Sequence, residues 1–402
     1  MTGATSPFLV TVSGQDAPGI SERLFGVLAE CGVVVDDVEQ VRVHGRLLLC
    51  VEADMVQAQV EPLGTLLRAG FRGAGVDVTV EPLVEEPTDD VAEGQLHLVT
   101  LLAPEIDAAT LEIVTGAVAR CGGNIARIVR LSAYPVHSYE LSVAGADIDS
   151  LRRALAETAA RCQVDLAVQA AGLHRRAKHL IVLDADSTLL QGEMIDLLAA
   201  RGGCGPQVAA VTAAAMAGEV DFAEALRQRV RLLAGLREAD LEAVRNGIVL
   251  TPGARTLMRT LKRLGYELAV VSGGFTQLIG PLADDLGIDH VAANVLVVED
   301  GIVTGELDGP IVDRAGKATA LATFAAAAGV PLARTIAVGD GANDIDMLAT
   351  AGLGIAFNAK PVVRQAADAA LSVPYLDAIL FLLGISRREV ELADRLEEEG
   401  SR

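Results

Sequence analysis

The period of hydrophobic and polar positions changes along this 402-residue chain, and each change marks a new unit. Phe8–Ser13 alternates as a short strand, the turn GQDAPG follows, and helical spacing runs from about Ser21 to Cys31. Two β-rich runs, VVVDDVEQV and RLLLCVEA, flank the turn at His44–Gly45. A second helical stretch covers about Val56–Phe71, and VDVTV closes a βαββαβ order. VEEPTDDVAEG (Val84–Gly94), acidic and carrying a proline, reads as a linker. The order then repeats: strand LHLVTLLA, helix Asp107–Cys121, strands NIARIVRLS and HSYELSVAG, helix Asp147–Arg161, strand VDLAVQA. Cys31 and Cys121 end equivalent helices about ninety residues apart, far beyond the roughly 20–50 of a solenoid repeat, so the pattern is a domain duplication. Each copy should be a four-stranded antiparallel sheet with two helices on one face.

From His179 the grammar becomes strand alternating with helix. HLIVL, ELAVV, TIAV and GIAF are continuous apolar runs, as parallel strands buried on both faces require. Between the first two lies an Ala-, Arg- and Leu-rich helical stretch, roughly Met194–Asn246. The expected architecture is therefore two small α+β (βαββαβ) domains, 1–84 and 96–174, joined by a linker at 85–95. A doubly wound parallel α/β domain follows at 175–402, carrying a helical insertion at about 194–250. The last segment, SRREVELADRLEEEGSR, reads as a solvated helix or fraying tail.

Composition narrows the function. Acidic residues outnumber basic ones 54 to 33, for a formal charge of −21, and aromatics are only 3% with no Trp. Such a field repels nucleic acid and anionic lipid, and few rings remain to stack on bases. An anionic substrate would need local cations or a metal to reverse the potential. Five scattered cysteines without a C-x-x-C pair argue for reduced thiols rather than a disulfide framework or zinc site. With no basic residue before Arg23 and no uncharged apolar run of about 18 residues, neither a signal peptide nor a membrane span is expected, and the chain is expected in the cytoplasm.

Three buried strands each run into a polar, reactive segment: HLIVL into Asp184 and Asp186 of DADST, ELAVV into Ser272 of SGGF, and TIAV into GDGAND with Asp340, Asn343 and Asp344. In open parallel sheets the ligand crevice lies beyond the carboxyl ends of the strands, so the three should converge. A single Asp there is commonly a helix cap or turn residue. Four carboxylates at one crevice repel one another unless a hard dication such as Mg²⁺ joins them. Other motif readings fail on spacing. GPIVDRAGK has six residues between its glycines, GDGAND lacks a third glycine, no G-x-S-x-G exists, and the histidines never fall at ligand spacing.

DADST after a strand, a later SGG, a lone Lys and then GDGAND resemble the haloacid dehalogenase superfamily of aspartate-nucleophile phosphotransferases, over about Lys178–Tyr375. The resemblance implies Asp184 as nucleophile and Asp186 as general acid and base. It implies Ser272 and the Gly273 amide on phosphoryl oxygens and Lys317 as neutralising cation. Mg²⁺ would sit on Asp184, the Asp186 carbonyl and Asp340, with Asp344 behind. The helical insertion is similar to that superfamily's small cap. Glu193, nine residues past Asp184 and followed by MIDLLA, resembles the phosphoserine phosphatase family within it. That implies Glu193 on the substrate ammonium, Arg229 on its carboxylate, Met216 and Phe222 as an apolar lid, and Asn343 as a further contact, with O-phospho-L-serine as substrate. Phe222 and Arg229 stand seven apart, on one helical face.

The duplicated half resembles ACT domains, which implies binding of an amino acid, L-serine as regulator, and a homodimer. The first copy carries DAPGI, where Asp16 and Gly19 lead into a helix N-terminus that can receive a carboxylate; the second has PEIDAA and lacks that glycine. Two other readings stay open at this point: a phosphatase or phosphotransferase for another small phosphate ester, such as phosphohomoserine, and an amino-acid sensor with an inactive core.

Overall fold

The computed structural model describes residues 5–83, 96–172, 175 and 177–400; the expected linker at 85–95 lies outside the described residues. Among the described residues, 5–83 form one compact unit and those from 96 onward a second.

The first unit contains β1 (Thr5–Gln15), α1 (Ile20–Glu30), β2 (Val34–Val43), β3 (Arg46–Val56), α2 (Val60–Gly70) and β4 (Val76–Pro82). The sheet order is β2-β3-β1-β4, all antiparallel. Alternation sets its core: Phe8, Val10 and Val12 of β1 and Leu47, Leu49, Val51 and Ala53 of β3 point one way. They meet Ile20, Leu24 and Leu28 of α1 and Leu63 and Leu67 of α2, which recur at helical spacing.

In the second unit, β5 (His97–Ala103), α3 (Ala108–Arg120), β6 (Asn124–Ser132), β7 (His137–Ala144), α4 (Ile148–Cys162) and β8 (Asp165–Ala170) repeat the topology as β6-β7-β5-β8. Here the helices start on side-chain caps: Asp107 accepts from the Thr110 amide and Asp147 from the Ser150 amide. Part of the other face of this sheet is also buried. Leu102, Leu131, Val136 and Ala167 belong to one hydrophobic cluster with Ile181, Leu376 and Phe381 of the following domain. Arg175 pairs with Glu140 at 2.6 Å and donates to the Leu382 carbonyl at 2.9 Å.

That domain runs β9 (Leu180–Asp184), α5 (Met194–Arg201), α6 (Gly205–Met216), α7 (Phe222–Arg231), α8 (Glu238–Gly247), α9 (Ala254–Arg263), β10 (Glu267–Phe275), α10 (Thr276–Leu286), β11 (His290–Glu299), β12 (Ile302–Asp308), α11 (Arg314–Ala327), β13 (Thr335–Gly339), α12 (Ile345–Thr350), β14 (Gly354–Phe357), α13 (Pro361–Ala366), β15 (Ala369–Leu371), α14 (Ile379–Leu382) and α15 (Arg387–Gly400). The seven-stranded sheet is ordered β12-β11-β10-β9-β13-β14-β15, parallel except for β12. Helices cover both faces: Ile181, Leu183, Val270 and Val338 enter one core, and Leu180, Val182, Val271 and Ala337 the other. This is the doubly wound arrangement expected from the continuous apolar runs.

Sequence reasoning did not identify the β11–β12 hairpin, although Asp300–Gly301, both at positive φ, is a strong two-residue hairpin signal. The C-terminal segment is no fraying tail. Arg259 and Arg263 hold Asp394, Arg263 also holds Glu397, and Val390 is buried. Among the described residues no helix is long and apolar enough to cross a membrane.

Candidate active site

Strands β10 and β13 flank β9 in parallel, with Val271 beside Asp184 and Val338 beside Leu183. Their carboxyl ends therefore bring Asp184, Ser272 and Asp340 to one edge. Past Asp184 the chain makes a tight turn in which Asp186 is extended and Ser187 has φ 59, a conformation sparsely populated by non-glycine residues. The turn closes with Ser187 N donating to Gly192 O at 3.1 Å and Leu190 N to Ala185 O at 2.9 Å. It aims the Asp186 carboxyl back over the strand ends. One oxygen accepts from the Met194 amide at 2.8 Å and the other from Ser272 Oγ at 3.2 Å.

Lys317, fourth residue of α11 and 1% exposed, donates to Asp184 Oδ1 and Asp344 Oδ1, each at 2.6 Å. Asp344 Oδ2 accepts from the Gly341 amide at 2.9 Å, so both its oxygens are engaged. Asp340 Oδ1 accepts from Thr188 Oγ1 at 3.3 Å. Backbone must approach closely here. A Cβ on Gly274 would fall 2.2 Å from Met194 Cε, and one on Gly339 2.5 Å from Asp344.

One buried ammonium faces a crowd of carboxyls, and burial dominates the protonation of Asp184, Asp186 and Asp340. Burial pushes Asp186 up to about 7, with the Glu193 charge adding to it. Burial, then Asp344 and Glu193, push Asp340 up to about 6. Asp184 is also raised by burial, against the pull of Lys317 and with Asp344 and Asp186 adding to the rise. For Lys317, burial works against the charge, but Asp184 and Asp344 outweigh it and hold the ammonium above its ordinary value.

A cavity of about 370 Å³ opens over these groups. Asp184, Asp186, Glu193, Met216, Phe222, Arg229, Gly273, Lys317, Asp340 and Asn343 all line it, so almost the whole set expected from sequence converges. Ser272 and Asp344 stand behind the lining, fully buried, bonded to Asp186 and Lys317. Glu193 precedes α5 without capping it and accepts from Ser187 Oγ at 3.2 Å, which leaves its charge facing the cavity. Arg229 is half-buried, whereas Met216 and Phe222 are exposed at 72% and 38%, on helices of the insertion. Asp16 and Gly19 lie in the first unit. Asp16 pairs with Arg42 at 2.6 Å, and Gly19 precedes α1 at φ 91, where an added Cβ would meet nothing within 4 Å. A left-handed backbone, rather than crowding within the chain, calls for glycine there.

Sequence reasoning missed two supporting residues. Asn294, 2% exposed, donates to the Gly273 carbonyl at 2.8 Å and accepts from the Val312 amide at 2.9 Å, tying the SGG segment to the loop before Lys317. Lys360 also lines the cavity. Neither stands in a motif, so only topology could reveal them.

Asp184, Asp340 and Asp344 each offer an oxygen within 4.8 Å of the others. An all-oxygen, net-negative set suits a hard dication such as Mg²⁺. Since Asp344 is occupied on both oxygens and the Asp186 carboxyl turns away, Asp184 and Asp340 are the side chains best suited to hold it.

Residues 181–349 match the haloacid dehalogenase-like hydrolase family, and residues 6–81 and 95–169 each match the ACT domain. The chain is 50% identical over 400 residues to a phosphoserine phosphatase of Streptomyces coelicolor, covering 99% of this chain and 97% of the relative. It is 50% identical over 398 residues to a phosphoserine phosphatase of Mycobacterium tuberculosis, covering 96% and 95%. Among solved structures, a probable phosphoserine phosphatase from Vibrio cholerae matches with a TM-score of 0.58 and 31% identity, over 72% of this chain and 86% of that one.

Proposed function

Because this chain belongs to the phosphoserine phosphatases of the haloacid dehalogenase-like hydrolases, with two ACT domains ahead of the hydrolase, we propose that it hydrolyses O-phospho-L-serine through an aspartyl-phosphate on Asp184. The observation that carries this reading is the common cavity of Asp184, Glu193 and Arg229, which offers a nucleophile, an anion and a cation to one small molecule.

In the first step an Asp184 oxygen bonds to phosphorus as the bond to the serine oxygen breaks. Asp186, held near neutrality and aimed by Met194 and Ser272, gives its proton to that oxygen. A positioned acid of matched pKa contributes about 10²–10⁴-fold. In the second step Asp186 takes a proton from water as the water attacks phosphorus, which returns Asp184 to a carboxylate. Lys317 balances the charge of Asp184 throughout, and the Gly273 amide offers a donor to phosphoryl oxygens. Mg²⁺ on Asp184 and Asp340, with the Asp186 carbonyl, would supply charge neutralisation at the phosphoryl group. Glu193 and Arg229 orient the ammonium and carboxylate, Arg by a planar fork. Met216 and Phe222 form the lid, and Asn343 completes the contacts.

The reading extends to the last step of serine biosynthesis in the cytoplasm and to a homodimer in which L-serine, as effector, meets the α1 N-terminus beside Asp16 and Gly19 of the first ACT domain. Phosphate release from O-phospho-L-serine, phosphoethanolamine and phosphohomoserine, with Mg²⁺ or with chelator, tests it. Turnover should be fastest with phosphoserine and lost on chelation. Equal rates across the three esters would overturn the substrate assignment.

A further inference from the structure

A second cavity, of about 680 Å³, lies between the second ACT domain and the edge of the hydrolase sheet, within the one compact unit that contains both. Helix α4 and strand β8 form one wall, and α13 with β15 the other. Much of the surface is alanine, including Ala156, Ala160 and Ala369, so its apolar part is shallow and small-grained. One buried group is out of keeping with that wall. Asp165 is 3% exposed; its Oδ2 accepts from the Ser372 amide at 2.5 Å, while Oδ1 has no hydrogen-bond partner among the described residues. Arg364 Nη2 stands 3.7 Å from that oxygen, beyond hydrogen-bond reach. A buried carboxylate oxygen without a donor is costly, and native structures seldom keep one unless something outside the chain satisfies it. Burial correspondingly pushes the Asp165 carboxyl above its ordinary value.

Arg152 and Arg364 line the same cavity, both partly exposed. An occupant must therefore donate to a carboxylate, present an anion to guanidinium and carry a small apolar body. A free α-amino acid has these three properties.

We propose that this interdomain cavity binds a free α-amino acid, its ammonium on Asp165 and its carboxylate on Arg364, and that α13 carries the effect to the active site. Helix α13 borders both cavities: Lys360, the residue before its first turn, lines the active site, while Pro361, Arg364 and Gln365 line the second cavity. The helix is six residues long and Lys360 is its N-cap, so a shift of the helix at Arg364 would move the backbone that carries Lys360. The site is separate from the DAPGI turn of the first ACT domain, and it gives the second copy, which lacks that turn's glycine, a ligand site of another kind. Only the activity readout rests on the phosphatase reading; binding does not.

The test titrates the full chain calorimetrically with each of the twenty amino acids in turn. The variants are Asp165→Asn, which keeps the Ser372 contact but removes the charge, and Arg364→Gln. Arg229→Ala serves as the background that disables the active site's own carboxylate contact. At least one amino acid should bind in the Arg229→Ala background and lose about 10–150-fold in affinity in either added variant. In the otherwise wild-type chain, turnover without effector should be unchanged by Asp165→Asn and Arg364→Gln, while that amino acid's effect on turnover disappears. No binding by any of the twenty, or binding that neither variant weakens, would overturn the proposal. So would variants that only lower the melting temperature without touching affinity, which would make Asp165 and Arg364 a plain structural pair. Inactivity of the unmodified chain toward phosphoserine would instead refute the proposed function and leave the binding result standing.

Discussion

Lys317 Nζ donates to Asp184 Oδ1 at 2.6 Å, joining the first turn of α11 to the last residue of β9 across 133 positions of sequence. The same ammonium holds Asp344 at 2.6 Å, so one cation fixes two buried carboxylates. Replacing it leaves both without a cationic partner, and breaking a buried pair from one side costs about 3–5 kcal/mol. Lys317→Met should therefore abolish turnover and lower the melting temperature, more at pH 8 than at pH 5, where Asp184, raised by its burial, can take up a proton instead. Thermal unfolding at both pH values, with activity assays, checks this.

Asp184→Asn should keep the fold and remove the nucleophile. The amide is nearly isosteric, its oxygen can still accept from Lys317, and one charge leaves a crowded acidic site. Activity should vanish with the melting temperature unchanged or slightly raised. Substantial turnover of phosphoserine by this variant would be incompatible with covalent catalysis at Asp184.

Asp186 supplies a pH signature. Its folded value, about 7, lies above the ordinary 3.8, so the neutral form is favoured by the fold. That contribution to stability is fully present below about pH 4 and is lost as pH rises through about 7. In metal-free protein, Asp186→Asn should raise stability at pH 8 by on the order of a few kcal/mol and barely change it at pH 4. Its activity should depend on the leaving group. With phosphoserine both half-reactions fail, whereas p-nitrophenyl phosphate, whose leaving group needs no proton, should still give a burst of nitrophenol before turnover stalls. Stopped-flow absorbance separates the two, and a missing burst would count against Asp186 as the acid.

Arg229→Lys replaces a fork by a point charge. It should lower kcat/KM for phosphoserine by about 10–150-fold, the loss expected for one charge-assisted contact. Phosphoethanolamine, which has no carboxylate, should be a poor substrate for the unmodified chain and lose little more in the variant. Equal losses on both substrates would show that Arg229 does not read the carboxylate.

Most of the catalytic side of this picture was legible in the residues because parallel strands announce themselves. HLIVL, ELAVV and TIAV are apolar on both faces, and the polar residue ending each must lie at the carboxyl edge of the sheet. Asp184, Asp186, Ser272 and Asp340 could be gathered on that rule alone. Glu193, Met216, Phe222 and Arg229 required a resemblance, since helix spacing gives a face but not what it faces. Asn294 and Lys360 escaped both routes, for each matters only where distant loops meet. The duplicated half was legible as a repeat, but not the difference between its copies. The second sheet buries part of its outer face through Leu102 and Ala167 against the hydrolase domain, whereas β2 of the first copy buries no residue in its own unit. Removing everything before Arg175 should accordingly expose that shared core and destabilise the hydrolase domain, which unfolding of such a truncation by denaturant would measure.

The chemistry proposed for this site passes phosphorus through Asp184. Acid quenching during turnover of phosphoserine, followed by proteolysis and mass spectrometry, tests it most directly. A hydroxylamine-labile phosphoryl adduct on Asp184, absent in Asp184→Asn, is the predicted result. Turnover with no adduct there, or an adduct on Ser187 or Ser272 instead, would contradict it.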